Sequence, residues 1–286
     1  MTGPTGAALQ SGLAVQCREI GHVFSLDGGD VVALHDINLT IYAGESVAVF
    51  GPSGSGKSTL MTLLAGLRRP TSGQLYVGGD DITRMSERDL LRLRGQRIGV
   101  VVQKPSRNLL AYGTTAENVR FAQSGAGRFR RRTLPEPEDL LRRLGLDDLA
   151  GRAVGRMSGG EQQRLAVALG MAGAPGLLLA DEPTSQLDGV SRDRVVALLR
   201  RVSAEFGTTV VAVTHDAEVA QALGRTIAIV EGRADDTTQH VDQFVMVGEN
   251  GLVQLPSDLV DRLPPGTRAR VVRKPGGVEL VREQFD

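Results

Sequence analysis

Four short segments of the chain carry side chains that could bind a nucleotide and cleave its terminal phosphate. The first, GPSGSGKST at residues 51–59, fits the pattern G-x-x-x-x-G-K-[ST] and stands between a strand pattern and a helix pattern. Its glycines let backbone N–H groups turn towards phosphate oxygens, Lys57 can reach the β and γ phosphates, and Ser58 can offer a hydroxyl to Mg²⁺. The segment predicts a nucleotide site and would equally suit a kinase or a GTPase. All of its residues are candidate ligands: Gly51, Pro52, Ser53, Gly54, Ser55, Gly56, Lys57, Ser58 and Thr59.

The second segment, LLLADEP at residues 177–183, ends an apolar strand pattern with two adjacent carboxylates. Asp181 can orient the ligands of Mg²⁺. Glu182 points differently and can polarise a water for attack on the γ-phosphorus, a step that needs a general base or a water-orienting group. Adjacent carboxylates could instead cap the following helix, but the phosphate-loop pattern favours the catalytic interpretation.

Two further strand patterns end in polar side chains. IGVVV (98–102) is followed by Gln103, and TVVAVT (209–214) is followed by His215. Because the carboxyl ends of parallel strands meet at one sheet edge, these side chains are predicted to converge there. A lone Gln or His would be a surface residue, but this convergence favours function: Gln103 on the metal or the attacking water, and His215 on the γ-phosphate. The predicted catalytic residues are Glu182, His215, Gln103 and Lys57, and the predicted metal ligands are Ser58, Gln103 and Asp181.

A fifth segment, MSGGEQQRLA at residues 157–166, holds no obvious catalytic group. Ser158 is a good N-cap and Glu161 follows three residues later, so the pair predicts a capping box and a helix that runs to Pro175. The two glycines between them leave the first amides of that helix bare. A bare helix N-terminus is suited to an anion, although an ordinary capped helix would explain the pattern without one.

Short apolar runs alternate with helical patterns around these segments. The runs indicate buried parallel strands in an α/β fold. Leu60, Leu63, Leu64 and Leu67 predict one face of a helix after the phosphate loop. The predicted strands are SVAVF (46–50), IGVVV (98–102), LLLA (177–180), TVVAV (209–213) and TIAIV (226–230).

Changes in pattern divide the chain. Strand patterns disappear between Gln103 and Met157, where PEDLLRRLGL predicts a helix, so residues 104–157 are predicted to form an inserted helical subdomain. The basic run RFRRR (128–132) within it is predicted to be a solvated loop. The predicted domains are a disordered tail (1–12), an ATP-binding domain (13–236) and, after a polar linker at RADDTTQ (233–239), a small β-rich module (237–286) with one short helix.

Composition excludes several classes of protein. Lys and Arg balance Asp and Glu at 33 each, so the chain as a whole is not attracted to nucleic acid or to an anionic membrane. Scarce aromatic residues disfavour binding of single-stranded nucleic acid. The sequence shows neither a signal-peptide pattern nor a membrane-spanning stretch, which predicts a cytoplasmic protein. The single cysteine, Cys17, predicts a buried or incidental thiol.

Taken in order, GPSGSGKST, Gln103, SGGEQQR, LLLADEPTSQLD and VTHD resemble an ABC-type ATPase over about residues 13–235. Kinases and GTPases lack the SGG motif. The resemblance implies a P-loop NTPase fold, ATP and Mg²⁺ as ligands, and a head-to-tail homodimer that encloses two ATP molecules. The SGG segment (residues 158–164) would then contact the γ-phosphate of ATP bound by a second copy. The residues implied in that contact are Ser158, Gly159, Gly160 and Glu161.

The same resemblance implies further roles. Asp188 would lie at the dimer interface, and Phe24 would stack on adenine, with His22 as a competing candidate. The segment after Gln103 would dock an integral-membrane permease, which would place the chain on the inner face of the cell membrane. The sequence most resembles the macrolide-export and lipoprotein-release branch of ABC ATPases. Met157, Glu161 and Gln186 depart from the usual pattern, and Glu161 adds a negative charge near the predicted phosphate site.

The C-terminal residues, 237–286, resemble the small AbrB-type fold, which predicts dimerisation or regulatory docking, with a passive extension as the alternative. Acidic residues slightly outnumber basic ones there, which disfavours DNA contact. Two alternatives to the transporter subunit share its motifs. One is an ATPase that gates a cell-envelope process through a membrane partner, and the other is a soluble ABC ATPase that acts on nucleic acid or in translation. The second usually carries two cassettes or a coiled coil, which this sequence lacks.

Overall fold

The computed structural model describes residues 12–26, 29–126, 133–236, 246–247, 253–254, 267, 269–274 and 277–282. The chain divides into two units, residues 1–239 and 240–286. The predicted tail (apart from Gly12), the RFRRR run and the predicted C-terminal helix lie outside the described residues.

The first unit contains two sheets and seven helices among its described residues. Its strands are β1 (Val15–Leu26), β2 (Gly29–Ile41), β3 (Ser46–Phe50), β4 (Ser72–Val77), β5 (Asp80–Asp81), β6 (Ile98–Val101), β7 (Leu177–Asp181), β8 (Thr209–Thr214), β9 (Arg225–Val230) and β10 (Arg233–Asp236). Its helices are α1 (Lys57–Leu64), α2 (Glu87–Arg97), α3 (Thr115–Ser124), α4 (Pro137–Leu144), α5 (Gly159–Met171), α6 (Gly189–Phe206) and α7 (Ala217–Leu223).

The larger sheet has the strand order β10-β9-β3-β8-β7-β6, and all of its strands except β10 are parallel. The five predicted strands are confirmed, with ends shifted by a residue at most. The prediction of a linker at RADDTTQ is wrong at its start, because Arg233–Asp236 forms β10 and pairs with β9. An edge strand has one side towards solvent, so its polar side chains do not prevent pairing.

The smaller sheet is antiparallel, in the order β2-β1-β4-β5, and the sequence analysis did not predict it. Its first two strands pair with register shifts between Cys17 and Ile20 and between Ile20 and His22. These irregularities interrupt the alternation of apolar and polar residues that marks a half-buried strand. Cys17 is buried in this sheet, as predicted, and burial raises the pKa of its thiol to about 12.

The main core lies between the two sheets and includes α1. Val47 and Val49 of β3 belong to it, whereas Ala48 is buried outside it, as expected from the alternation of side chains along a strand. Leu60, Leu63 and Leu64 are buried as predicted. The prediction for Leu67 is wrong: α1 ends at Leu64, Gly66 adopts a left-handed φ of 63°, and Leu67 is exposed. Each large aliphatic side chain in this core contributes about 1.5–3 kcal/mol relative to exposure.

Between β6 and β7 the chain is helical, as predicted. The predicted helix at PEDLLRRLGL is α4, whereas α3 was not predicted. Segment 111–115 hydrogen-bonds to segment 152–155 in this region, through an isolated bridge between Thr114 and Ala153 and a Thr115 N–H bond to the Arg152 carbonyl. These bonds tie the chain that follows Gln103 to the chain that leads into α5.

The second unit is described in two strand pairs. Strands β11 (Met246–Val247) and β12 (Val253–Gln254) pair antiparallel, as do β13 (Ala269–Lys274) and β14 (Gly277–Arg282). Lys274 pairs with Gly277, and the first two residues of the predicted Pro-Gly-Gly turn lie outside the described residues.

Candidate active site

The phosphate loop, residues 51–59, connects β3 to α1. Gly56 is the N-cap of α1, with a φ of 104° and without a side-chain cap. A Cβ atom at Gly56 would lie 2.4 Å from the carbonyl oxygen of Ala33, so only glycine fits there. The first amides of α1 therefore have no side chain of the loop as acceptor, which is the arrangement that binds phosphate at a helix N-terminus.

Lys57 is buried at the start of α1. Its Nζ donates hydrogen bonds to the carbonyl oxygens of Gly51, at 2.7 Å, and Pro52, at 2.5 Å. Burial lowers the pKa of the ammonium group, and the carboxylates of Glu182 and Asp181 oppose that shift. The ammonium group thus lies within electrostatic range of both carboxylates while it donates to two carbonyl groups of the loop.

The adjacent carboxylates lie at the end of β7. Burial raises the pKa of Asp181, the negative charge of Glu182 adds to this shift, and Lys57 opposes it. Glu182 adopts a left-handed φ of 47°, a conformation that costs a non-glycine residue about 1–3 kcal/mol. Its backbone N–H bonds to the carbonyl oxygen of Val213 at 3.0 Å, which fixes the strained residue against β8.

His215 follows β8 and contacts Glu182. Its Nδ1 lies 2.9 Å from Oε1 and 2.8 Å from Oε2 of that carboxylate. The Glu182 side chain is 14% exposed and the His215 side chain is 58% exposed, so the imidazole covers the carboxylate from the solvent side. The pair can hold a proton and orient a polar ligand at the sheet edge.

Gln103 lies at the same sheet edge. Val101, at the end of β6, pairs with Ala180, the residue before Asp181, so the two strands end level. Gln103 follows two residues later and is exposed. The structure therefore brings Lys57, Asp181, Glu182 and His215 into mutual range and places Gln103 at their edge.

The oxygen donors near the phosphate loop fit Mg²⁺. Ser58 is exposed in the first turn of α1, and Asp181 ends the strand two positions from β3 in the sheet. A hydroxyl and a carboxylate, together with phosphate oxygens, form the donor set that Mg²⁺ takes in nucleotide sites. Within the described part of the chain, no cluster of three or more His, Cys, Asp or Glu side chains could hold a metal alone.

The SGG segment opens α5 with the predicted capping box. Ser158 Oγ accepts from the backbone N–H of Glu161 at 3.3 Å, and Glu161 Oε2 accepts from the backbone N–H of Ser158 at 2.8 Å. The predicted end at Pro175 is wrong, since α5 stops at Met171 and an intervening glycine and a left-handed Ala174 turn the chain. In the described residues, these hydrogen bonds stay within the segment and do not reach the phosphate loop.

Asp188 caps α6 and is linked to the SGG segment through a residue that sequence analysis missed. Its Oδ1 accepts from the backbone N–H of Ser191 at 2.9 Å, and its Oδ2 accepts from Ser191 Oγ at 2.9 Å. A Cβ atom at Gly160 would lie 2.6 Å from Ser191 Oγ, so α5 and α6 meet closely here. The spacing of Asp188 and Ser191 is the signal for this cap.

The two candidates for stacking on adenine contact each other. The rings of His22 and Phe24 meet edge to face, with their centroids 4.7 Å apart. The guanidinium of Arg68, also missed by sequence analysis, lies 5.1 Å from the centroid of the Phe24 ring. His22 is 7% exposed and Phe24 is half-buried, so Phe24 is the more accessible ring. Burial lowers the pKa of His22, and Arg68 adds to this effect.

Comparison with known proteins decides which family this site belongs to. The family described as ABC transporter matches residues 34–185, which contain the phosphate loop, Gln103, the SGG segment and the Asp181–Glu182 pair. The chain belongs to this family. It is an ABC-type ATPase, with the mixed α/β fold of these cassettes.

Relatives of this ABC ATPase include transport proteins. The lipoprotein-releasing system ATP-binding protein LolD 1 of Caulobacter vibrioides is 41% identical over 220 residues, which cover 77% of this chain and 93% of that protein. The macrolide export ATP-binding/permease protein MacB of Rhodopirellula baltica is 42% identical over 213 residues, 73% of this chain. The ABC ATPase spans 31% of the length of that protein.

Solved cassettes share the fold of the ABC ATPase. A dimeric post-hydrolysis structure of the ATP-binding cassette MJ0796, bound to ADP and Pi, matches with a TM-score of 0.67 and 32% identity, covering 77% of this chain and 96% of that one. The cbiO1 cassette from Clostridium perfringens, part of the transporter complex cbiONQ, matches with a TM-score of 0.68 and 28% identity, covering 77% and 86%. Among the described residues of the ABC ATPase, none of the helices is both long and apolar enough to span a membrane.

Proposed function

We propose that this ABC ATPase is the ATP-hydrolysing subunit of a transporter, closing as a head-to-tail homodimer on two ATP molecules and driving a separately encoded membrane permease, with export as its direction. One observation carries the proposal. Lys57, Asp181 and Glu182 lie in electrostatic range of one another at one sheet edge, and His215 pairs with Glu182 there, while the capping-box hydrogen bonds of the SGG segment join Ser158 and Glu161 to each other. A chain in which the residues around the phosphate loop and the SGG segment are separate can complete its ATP site with the SGG segment of a second copy.

The phosphate loop binds the triphosphate in this proposal. The bare amides of α1 take the β and γ phosphates, and Lys57 turns from its carbonyl partners to the same oxygens. The loop side chains and Thr59 complete the cradle. Ser58, Asp181 and Gln103 would hold Mg²⁺, which would neutralise charge at the transferred phosphoryl group.

Hydrolysis is assigned to Glu182. Its carboxylate accepts a proton from the attacking water as the water oxygen bonds to the γ-phosphorus and the bond to the β–γ bridging oxygen breaks. His215, paired with that carboxylate, holds it in place and contacts the γ-phosphate. Gln103 orients the water from β6, and ADP and phosphate leave.

A second copy supplies the other side of each ATP. Ser158, Gly159, Gly160 and Glu161 present the N-terminus of α5 to the γ-phosphate, and Asp188 links the two sites across the interface. The solved dimer with ADP and Pi supports this arrangement. Phe24 stacks on adenine in preference to His22, because His22 is the more buried ring.

The names of the relatives support the choice of partner. LolD 1 is named for a lipoprotein-releasing system and MacB for macrolide export, so we assign this chain to the same branch. It binds a permease through the segment after Gln103, lies on the inner face of the cell membrane, and makes no direct contact with nucleic acid. Residues 237–286 form a separate module for dimerisation or regulatory docking, of AbrB type, with the domain boundary at residue 236.

The test begins with Glu182→Gln. Turnover of ATP should fall by about 10² to 10⁴ while ATP binding persists, because the variant loses the general base and keeps the cradle. The tagged variant, purified with ATP from detergent-solubilised cells, should retain a stoichiometric membrane protein. Peptide mass spectrometry of the eluate identifies that protein, and its extracytoplasmic domain distinguishes transport from gating of an envelope process.

The matched control is Lys57→Ala combined with Glu182→Gln, which should neither bind ATP nor retain the membrane protein in an ATP-dependent manner. Unchanged turnover in Glu182→Gln would remove this residue from the role of base. Recovery of nucleic acid or ribosomes without a membrane protein would overturn the transporter proposal and support the soluble alternative.

A further inference from the structure

Arg152 is fixed beside the N-terminus of α5. Its Nη1 lies 2.5 Å from Glu161 Oε1, and its Nη2 donates to the carbonyl oxygen of Arg156 at 3.4 Å. At the other end, its own carbonyl oxygen accepts from the backbone N–H of Thr115 at 3.1 Å. Arg152 is thus held by its backbone to the start of α3 and by its side chain to the SGG segment.

Glu161 poses an electrostatic problem for a phosphate at this helix end. The backbone N–H of Ser158, followed by Arg152, holds the pKa of its carboxyl below the usual range, so the carboxylate is ionised at neutral pH. A fixed negative charge in the first turn favours the helix dipole but repels a second anion at the same terminus. The γ-phosphate of ATP is such an anion.

We propose that Arg152 is a positioning residue of the shared ATP site: it neutralises Glu161 and keeps its carboxylate turned back on the Ser158 amide. The N-terminal amides of α5 then receive the γ-phosphate bound by the other copy without repulsion from Glu161. This inference rests on the proposed head-to-tail dimer. It adds a residue outside the SGG segment to the machinery that accepts ATP.

The capping box of α3 shows that capping alone does not need such an arginine. Glu117 Oε2 accepts from the backbone N–H of Thr114 at 2.7 Å, the same arrangement as at Ser158. The nearby Arg120 pairs with Glu138 instead, at 3.1 Å. In the part of the chain that the structure describes, the Glu117 carboxylate has no ion pair. Among the described residues, Arg120 acts on Glu117 through its charge without a direct pair, so the direct pair of arginine with the capping glutamate is a feature of α5 that α3 does not share.

The test is a double-mutant cycle in full-length protein carrying Glu182→Gln, which slows hydrolysis. ATP-dependent dimerisation is measured by sedimentation for the parent, Arg152→Ala, Glu161→Gln and the double variant. Arg152→Ala should weaken dimerisation by about tenfold or more, because two sites each regain an unpaired charge near phosphate. Adding Glu161→Gln should return it to within about twofold of Glu161→Gln alone, because the charge to be neutralised is gone.

Two readouts separate electrostatics from structure. Raising the ionic strength to about 0.5 M should shrink the defect of Arg152→Ala relative to the double variant, because salt screens the exposed charge. ATP binding to the single chain, which uses the phosphate loop, should be unchanged in every variant. Glu117→Gln, the matched control on α3, should leave dimerisation at the parent value. If Arg152→Ala fails to fold, Arg152→Gln takes its place.

The outcomes distinguish this inference from the proposed function. A parent that binds ATP but does not dimerise overturns the head-to-tail site and this inference with it. A parent that dimerises normally, with Arg152→Ala equal to it, overturns the role of Arg152 alone. A defect in Arg152→Ala that Glu161→Gln does not relieve would assign the arginine to packing through the Arg156 carbonyl, and would also overturn the electrostatic role.

Discussion

The chain contains two helix N-termini assigned to phosphate, and their ends are built differently. Helix α1 begins at Gly56, without a side-chain cap and without an acidic residue in its first turn. Helix α5 begins at Ser158 with a complete capping box and with Glu161 in its first turn. The first amides of α1 have no side-chain cap and can donate to a ligand. At α5, the Ser158 hydroxyl already accepts from one of the first amides, that of Glu161.

Under the proposed function, this difference suits the two ends to different roles. At α1, Lys57 lies within electrostatic range of the two carboxylates of β7 in the same chain, where we propose that the triphosphate binds. At α5, the capping box joins Ser158 and Glu161 and fixes the helix end within one chain. A rigid, capped end suits a surface that closes on a ligand held elsewhere.

The largest expected effect tests whether these two ends act across copies. Lys57→Ala should abolish ATP binding by its own chain, whereas Ser158→Arg should bind ATP but fill the α5 end with a bulky cation. Each variant alone should lose about 10² to 10³ in ATPase rate, the cost of removing a main anion donor. Mixing them should restore part of the activity, because one of the two sites in the mixed dimer has both ends intact.

The mixture is titrated at constant total protein, with wild-type protein diluted by Lys57→Ala as reference. Activity that stays at the level of the single variants at every ratio would contradict a composite site. It would place both ends of each site in one chain.

The next largest effect separates packing from ligand contact at the α5 end. Gly160 is buried, and a Cβ atom there would lie 2.7 Å from Cβ of Ser191, so Gly160→Ala should destabilise the fold by about 1–3 kcal/mol. Gly159 is exposed, with nothing within 4 Å of an added Cβ. Gly159→Ala should therefore fold normally and still lose at least about tenfold in ATPase rate, because the methyl group displaces the other copy.

Urea unfolding gives the stability of both variants, and steady-state hydrolysis gives their rates. Equal loss of stability in both would show that the exposed glycine is also a packing position. Full activity in Gly159→Ala would show that the α5 end does not approach a second copy closely.

Local patterns in the sequence predicted the strand ends and the capping box. Contacts between residues far apart in the chain could not be predicted from such patterns. The strands that deliver Asp181, Gln103 and His215 end where short apolar runs end, and the capping box at Ser158 needs only two residues three apart. In contrast, the antiparallel sheet is broken by register shifts near Ile20, which removed its alternating pattern.

The contacts of the α5 end show the same limit. Arg152 meets Glu161 across nine positions and Ser191 packs on Gly160 across thirty-one, and both depend on how separate elements fold back. An arginine or a serine alone carries no pattern that would identify these partners. The prediction for Leu67 was wrong because a local pattern was followed too far. The leucine spacing continues past the left-handed Gly66, where the helix has already ended.

A smaller effect distinguishes capping from contact with a ligand. Ser158→Ala and Thr114→Ala each remove a hydroxyl that caps a helix, and each should cost about 1 kcal/mol of stability. Only Ser158→Ala should also lower the ATPase rate, because α5 is assigned to phosphate and α3 is not. Equal rates in the two variants, at equal stability, would reduce Ser158 to a structural cap.

The smallest effect concerns acid, which should act on the acidic cap of α5, whereas the first turn of α1 holds no acidic residue. The Ser158 amide holds the pKa of Glu161 below its unfolded value, so its contribution to stability is fully present above about pH 4.3 and is lost as pH falls through the folded pKa. Urea unfolding at pH 7 and at about pH 3 should show that Glu161→Gln is less stable than wild type at pH 7 and that the gap narrows on acidification. Glu117→Gln should behave alike, because Thr114 lowers the pKa of Glu117 in the same way. A gap that is the same at both pH values would mean that the Glu161 carboxylate caps α5 no better ionised than neutral, and the contrast between the two helix ends would then rest on Ser158 alone.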